Sequence, residues 1–224
     1  MSFVHDDQPQ KIYDSFNEFI FSSDRKLFAK LASKLYFTEI TKSIPGSIVE
    51  LGVFKGSGLV AWLKALELNS TNHKNVYGFD FFDDESLVKS INSTDKELMK
   101  SLFKDRGFDP KDYEVYLEKI INNAGFNNFN FLKGDVKDTI PRFLKENPGF
   151  RASIINFDLD LEDPTEFCLE MLWPRVCRGG VLIFDEYAIN EWTESNAVDN
   201  FCKKNNLILS STPYFAPSAF LIKN

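Results

Sequence analysis

Histidine is nearly absent from this chain: His5 and His73 are the whole supply among 224 residues. One falls in a polar terminal stretch and the other in a polar loop. Neither is placed to act as a base, so any proton transfer falls to carboxylates. Cysteine is almost as scarce. Cys168, Cys177 and Cys202 have no metal-ligand spacing, and their odd number fits reduced thiols in a cytoplasmic setting rather than a disulfide framework. No apolar run is long enough to cross a membrane, and residues 1–10 lack the apolar segment of a secretory signal. Positive charge is in deficit, with 26 Lys and Arg against 33 Asp and Glu, a net charge of −7. With no basic stripe, nucleic acid is not an expected partner. What is abundant is phenylalanine, at 23 residues, most of it expected in a core. The length suits one α/β domain.

The chain is organised around residues 50–58, Glu-Leu-Gly-Val-Phe-Lys-Gly-Ser-Gly. Ile48 and Val49 before it read as the end of a buried strand. Residues 59–68 after it read as a helix. A strand, a glycine turn and a helix bring backbone N–H groups close to a ligand. Further strands are expected at 76–82, 129–132, 152–157, 181–184, 207–211 and 219–223. Helices are expected at 27–40, 96–106, 110–124, 138–145 with Pro141 in its first turn, 165–177 with a break near Pro174, and 191–204. Gly179 and Gly180 are expected to end the helix before the fifth strand. Tyr13, Phe16, Phe19, Ile20 and Phe21 suggest a short amphipathic helix, and Leu27, Phe28, Leu31, Leu35 and Tyr36 share one side of the next. The alternation predicts one domain over 1–224, a parallel sheet with helices on both faces and an antiparallel edge. Residues 1–44 form an N-terminal helical cap. Residues 86–128 interrupt the repeat and are expected to form a lid beside the site.

Four strands end in acid: Glu50, Asp80, Asp158 with Asp160, and Asp185 with Glu186. In a parallel sheet, ligands bind at the carboxyl ends of the strands, so these groups are expected to converge. Asp80 is placed to bind ribose hydroxyls. The glycines run Gly52-x-x-x-Gly56-x-Gly58, not Gly-x-Gly-x-x-Gly, which disfavours a nicotinamide-dependent oxidoreductase. Carboxylate oxygens suit Mg²⁺. In an extended segment Asp158 and Asp160 point to one side, so one can hold a cation while the other takes a proton.

Residues 50–58, Asp80 and the Gly134-Asp135-Val136 stretch resemble the motifs of class I S-adenosylmethionine-dependent methyltransferases. With Asp158-Leu-Asp160, and Gly179-Gly180 followed by Asp185-Glu186-Tyr187, the chain is most similar to the macrocin O-methyltransferase family, which methylates sugar hydroxyls of natural products. The resemblance implies a Rossmann-like fold with a seven-stranded, mostly parallel sheet. It implies S-adenosylmethionine bound by Glu50, by the turn of Gly52, Phe54, Gly56, Ser57 and Gly58, and by Asp80, Gly134, Asp135, Val136 and Asp158. It also implies Mg²⁺ on Asp158, Asp185 and Glu186, with Asp160 as base. The family's usual Asp-Asp before the tyrosine is Asp185-Glu186 here. The acceptor is expected to be a small hydroxylated molecule such as a sugar. A catechol-like phenol acceptor, a non-catalytic cofactor-binding domain and a homo-oligomer remain open.

Overall fold

A computed structural model describes residues 9–91, 95–104, 112–214 and 216–224. Seven strands form one sheet in the order β3-β2-β1-β4-β5-β7-β6. They are β1 (Ser47–Leu51), β2 (Val76–Asp80), β3 (Phe129–Lys133), β4 (Ala152–Phe157), β5 (Val176–Phe184), β6 (Ser210–Ser211) and β7 (Ala219–Ile222). The first five are mutually parallel. Strand β7 runs antiparallel between β5 and β6, as a connection without a helix requires. β4 is buried along its whole length, as befits a central strand covered on both faces.

The helices are α1 (Pro9–Phe21), α2 (Arg25–Ile40), α3 (Ser57–Leu68), α4 (Asp84–Ser90), α5 (Asp95–Lys104), α6 (Tyr113–Asn123), α7 (Val136–Glu146), α8 (Glu162–Leu172) and α9 (Glu194–Asn205). One apolar layer, with Phe79, Ile140, Phe157 and Leu169 at its centre, lies between the sheet and helices α7 to α9. The other, around Phe37, Leu59, Trp62 and Leu63, lies under α2, α3 and α6. No helix among the described residues is long and apolar enough to cross a membrane.

Several sequence expectations need correction. Helix α7 begins at Val136, because Asp135 caps it by accepting from the Lys137 amide at 2.9 Å. Pro141 is therefore inside the helix, not in its first turn. Helix α8 gives way to a single 3₁₀ turn at Trp173–Arg175, and Cys177, Gly179 and Gly180 lie inside β5 rather than ending a helix. The strand expected over 207–211 is only two residues long. Residues 105–111, where the two expected insertion helices end and begin, lie outside the described residues, as does His5.

The shared side of α2 that carries Leu27, Phe28, Leu31, Leu35 and Tyr36 stays exposed, with Leu27 and Leu31 on a cleft at the strand ends, and the buried residues are Ala29, Ser33, Lys34, Phe37 and Thr38. Phe37 seats this helix in the apolar layer, and lysines on the inward side meet buried acids.

Candidate functional site

The carboxyl ends of the parallel strands open into a cleft of about 1370 Å³ lined from β1 and β2, from the segments after β4 and β5 and from α2. Drug-sized pockets run to roughly 1,000 Å³, so there is room for a nucleoside-sized cofactor and a second molecule. Among the residues expected to bind the cofactor, Glu50, Gly52, Phe54, Ser57, Gly58, Asp80, Gly134, Asp135, Val136 and Asp158 all line it.

The turn after β1 is shaped by close approach. Gly52 has φ +88°, and a Cβ there would lie 2.0 Å from the Asp158 carbonyl oxygen, so only glycine lets β1 leave the sheet beside β4. A Cβ on Gly58 would lie 2.2 Å from Glu50 Oε1. The Glu50 carboxylate is thus laid against the first turn of α3. It is buried, its Oε2 has no hydrogen-bond partner, and the nearest cation, Lys34 Nζ, is 3.6 Å away. Lys34 also lies over the Trp62 ring at 4.7 Å. Burial pushes the Glu50 pKa up to about 7, against the pull of Lys34.

Asp80 does more than its sequence position suggests. Its Oδ2 accepts the amides of Val53 and Phe54 at 2.8 and 2.7 Å, and its Oδ1 accepts Phe82 N–H at 2.8 Å. It therefore ties the glycine turn to the end of β2. Burial raises its pKa, and these amides hold it down.

Asp158, Asp160 and Glu186 bring one oxygen each within 4.8 Å of one another. The family resemblance implies Asp185, not Asp160, beside Asp158 and Glu186. Asp160 has φ +65°, so the backbone past β4 turns rather than continuing extended. The turn still delivers the Asp160 carboxylate to the group. Asp185 is taken up by α2: Lys30 Nζ lies 2.6 Å from its Oδ2, close enough for an ion pair although not aligned as a hydrogen bond. Lys30 also donates to Asp158 Oδ2 at 3.0 Å, and Lys26 pairs with Glu186. Beneath the cluster, Glu194 Oε1 accepts the Glu186 amide at 3.2 Å.

Five carboxyl groups therefore face two ammonium groups, and Glu186 Oε2 and Glu194 Oε2 are buried without a hydrogen-bond partner. Burial, reinforced by the neighbouring carboxylates, pushes Asp160 up to about 7 and Asp185 and Glu194 well above the usual carboxylate range. For Lys30, burial opposes the charge, but Asp158 and Asp185 win and raise its pKa. A hard divalent cation fits this donor set: oxygen ligands only, in excess of the local positive charge, with a buried oxygen unpartnered.

The lysines went unnoticed in the sequence. The signal was present: Lys26, Lys30 and Lys34 are spaced i, i+4, i+8 and so share one helical face.

A parallel sheet in this order, with a glycine turn after β1 and acids at the ends of β1, β2 and β4 and just past β5, defines a Rossmann-like methyltransferase fold. The chain belongs to the macrocin O-methyltransferase (TylF) family, whose model matches residues 29–211. It is 30% identical over 161 residues to the 8-demethyl-8-(2,3-dimethoxy-alpha-L-rhamnosyl)-tetracenomycin-C 4'-O-methyltransferase of Streptomyces olivaceus, covering 68% of this chain and 57% of that protein. It is 25% identical over 164 residues to the demethyldecarbamoylnovobiocin O-methyltransferase of Streptomyces niveus, covering 66% and 55%. The chain thus spans little more than half the length of these curated relatives. Among solved structures it resembles CalS11, a calicheamicin methyltransferase, with TM-score 0.76 and 25% identity over 96% of this chain and 87% of that one.

Proposed function

We propose that this protein transfers a methyl group from S-adenosylmethionine to a hydroxyl of a small acceptor, such as a sugar of a natural product or glycan, with help from Mg²⁺. One observation carries the reading: the buried Glu50 carboxylate and the Asp158–Asp160–Glu186 group open into the same cleft. The relatives' names support the acceptor class. Three free cysteines support a cytoplasmic setting.

The roles follow from position. Glu50 binds the ammonium of the cofactor's methionine end, and the Gly58 approach holds its carboxylate in place. Asp135 and Val136 border the base of the nucleoside, and Asp80 fixes the turn while offering its remaining lone pairs to ribose. Asp158 and Glu186, with Asp185 behind them, hold the cation. The bound cofactor supplies an electrophilic methyl group, and a divalent cation supplies positive charge that acidifies the acceptor hydroxyl. Asp160 is the base: burial raises its carboxyl above the usual range, which strengthens it as an acceptor for the hydroxyl proton, and it stands beside the groups that would hold the cation. Leu87, Ile91 and Met99 line the cleft from the stretch expected to form the lid, and we assign them to the acceptor side.

Lys30 favours a second reading, in which its ammonium does the cation's work and turnover needs no metal. The deciding assay follows isotope-labelled methyl transfer onto nucleotide sugars, glycosides and catechols, with Mg²⁺ or with a chelator. Label in sugar hydroxyls only when Mg²⁺ is present supports the first reading, and equal turnover in chelator supports the second. Asp160→Asn is expected to lose roughly 10²–10⁴-fold in turnover with S-adenosylhomocysteine affinity kept. A protein that binds the cofactor but methylates no hydroxyl would overturn both.

A further inference from the structure

We infer that Glu194 is a positioning residue for the acid group, holding Glu186 in place from the first turn of α9. This role rests on the metal-assisted reading and is independent of the acceptor. Four consecutive residues at the start of α9 each commit a side chain to one of the two acid-bearing segments. Glu194 Oε1 accepts the Glu186 amide at 3.2 Å, and Ser195 Oγ accepts the Ala188 amide at 2.8 Å. These two hold the segment after β5. Thr193 Oγ1 accepts the Glu162 amide at 2.9 Å, and Asn196 Nδ2 donates to Glu162 Oε2 at 2.9 Å. These two hold the segment after β4, just past Asp160.

Capping of α9 does not account for the set. A cap residue usually turns its oxygen to the amides of its own helix. Thr193 is the cap residue of α9 and makes no such bond. It serves α8 instead, whose cap position holds Leu161, a residue with no side-chain acceptor. Both held segments contain backbone that needs holding. Asp160 has φ +65° and Ala188 has φ +62°, a region that residues with a Cβ keep only where the surroundings enforce it.

Glu194 is the member of the set that the fold alone explains least. It is fully buried, and its Oε2 has no hydrogen-bond partner. A buried carboxyl that is only partly satisfied destabilises the fold, and an alanine would suit the helix without that cost. Its other oxygen fixes the main chain at Glu186, and so fixes the point from which the Glu186 carboxylate reaches Asp158 and Asp160. Groups that orient the ligands of a metal in this way matter to its affinity about as much as a ligand's own geometry does.

Mn²⁺ binding to the full chain, read by electron paramagnetic resonance, tests this. Wild type is expected to bind the ion. Glu194→Ala is expected to weaken that binding by about 10–100-fold, with S-adenosylhomocysteine affinity unchanged. Glu194→Gln keeps an oxygen for the Glu186 amide and is expected to bind Mn²⁺ as wild type does. If Glu194→Ala does not fold, Ser195→Ala replaces it, since it leaves every fully buried side chain intact; a severalfold loss of Mn²⁺ affinity is then expected. A residue that served only the fold would lower Tm and leave Mn²⁺ affinity alone, and that result overturns the inference. So does a Glu194→Gln variant as weak as Glu194→Ala, which would make charge the cause. An equal loss of S-adenosylhomocysteine affinity, the mark of a cleft loosened throughout, overturns it too. A wild type that binds no Mn²⁺ overturns the metal-assisted reading itself, and this role with it.

Discussion

Lys30→Met removes the ammonium shared by Asp158 and Asp185 while keeping most of the side chain's apolar stem. The Lys30 side chain is about one quarter exposed, and that of Asp185 is almost fully buried. Breaking a buried pair by removing one partner costs about 3–5 kcal/mol, because the remaining charge is left uncompensated. Partial exposure puts this case at the lower end, about 3 kcal/mol. For a chain of this size each kcal/mol moves Tm by about 2–4 °C, so a fall of about 6–12 °C is expected. A proton can replace the lost ammonium, since Asp160 and Asp185 already sit high. The loss should therefore be larger at pH 8 than at pH 6. A divalent cation that binds only the folded state restores about 2.7 kcal/mol at one hundred times its Kd, nearly the whole loss. Differential scanning calorimetry with and without Mg²⁺ reads all three effects. The wild type should gain less from Mg²⁺ than the variant, because its lysine competes for the same oxygens. If Lys30→Met melts within 2 °C of wild type at pH 8, or if Mg²⁺ stabilises the two proteins equally, the lysine is not the cluster's resident counter-ion.

Glu50 gives a pH prediction. Its pKa rises from an ordinary 4.5 to about 7 on folding, so between those values the folded chain holds a proton that the unfolded chain lacks. Stability of the free protein should fall as pH rises through that window, while affinity for S-adenosylhomocysteine rises as the carboxylate forms. Calorimetric titration from pH 5.5 to 8.5 checks this, and Glu50→Gln should flatten the affinity curve and make the stability curve shallower, leaving the slope that Asp160, Asp185 and Glu194 contribute; a flat wild-type affinity would refute the assignment. Gly58→Ala sets two effects against each other. Alanine inside a helix normally gains about 0.5–1 kcal/mol over glycine, but here its Cβ would meet Glu50 Oε1 at 2.2 Å. The clash should prevail, with a lower Tm and at least tenfold weaker cofactor binding by calorimetry.

The sheet and the convergence of acids were legible because they rest on two robust rules, strand–helix alternation and ligand binding at strand ends. Glu50, Asp80, Asp158 and Asp160 duly reach the cleft. What was not legible involves residues obeying a local pattern for a non-local reason. Leu27, Leu31 and Leu35 share one side of α2, yet the side buried is the one that carries Phe37 and the lysines, two of which answer acids far along the chain. Asp160 was placed by strand periodicity, but the strand ends at Phe157 and the next residues turn. Asp80 looked like a ligand-binding group and serves the turn as well, since its amide partners are only visible once β1 and β2 lie side by side.

The lysine contacts also tell when the site comes into being. Lys26 and Glu186 are 160 positions apart, and Lys30 and Asp158 are 128 apart. Closing a loop of that length costs about 1.8 kcal/mol more than closing one of about 20 residues, at about 0.6 kcal/mol per doubling. On the ribosome, α2 emerges early, and Lys26 and Lys30 stay unmatched until the chain has been made past β4 and β5. No shorter nascent fragment contains Glu186, so the acid cluster, unlike the Lys34–Glu50 pair and the Asp80-tied glycine turn, is completed only in a late, long-range step.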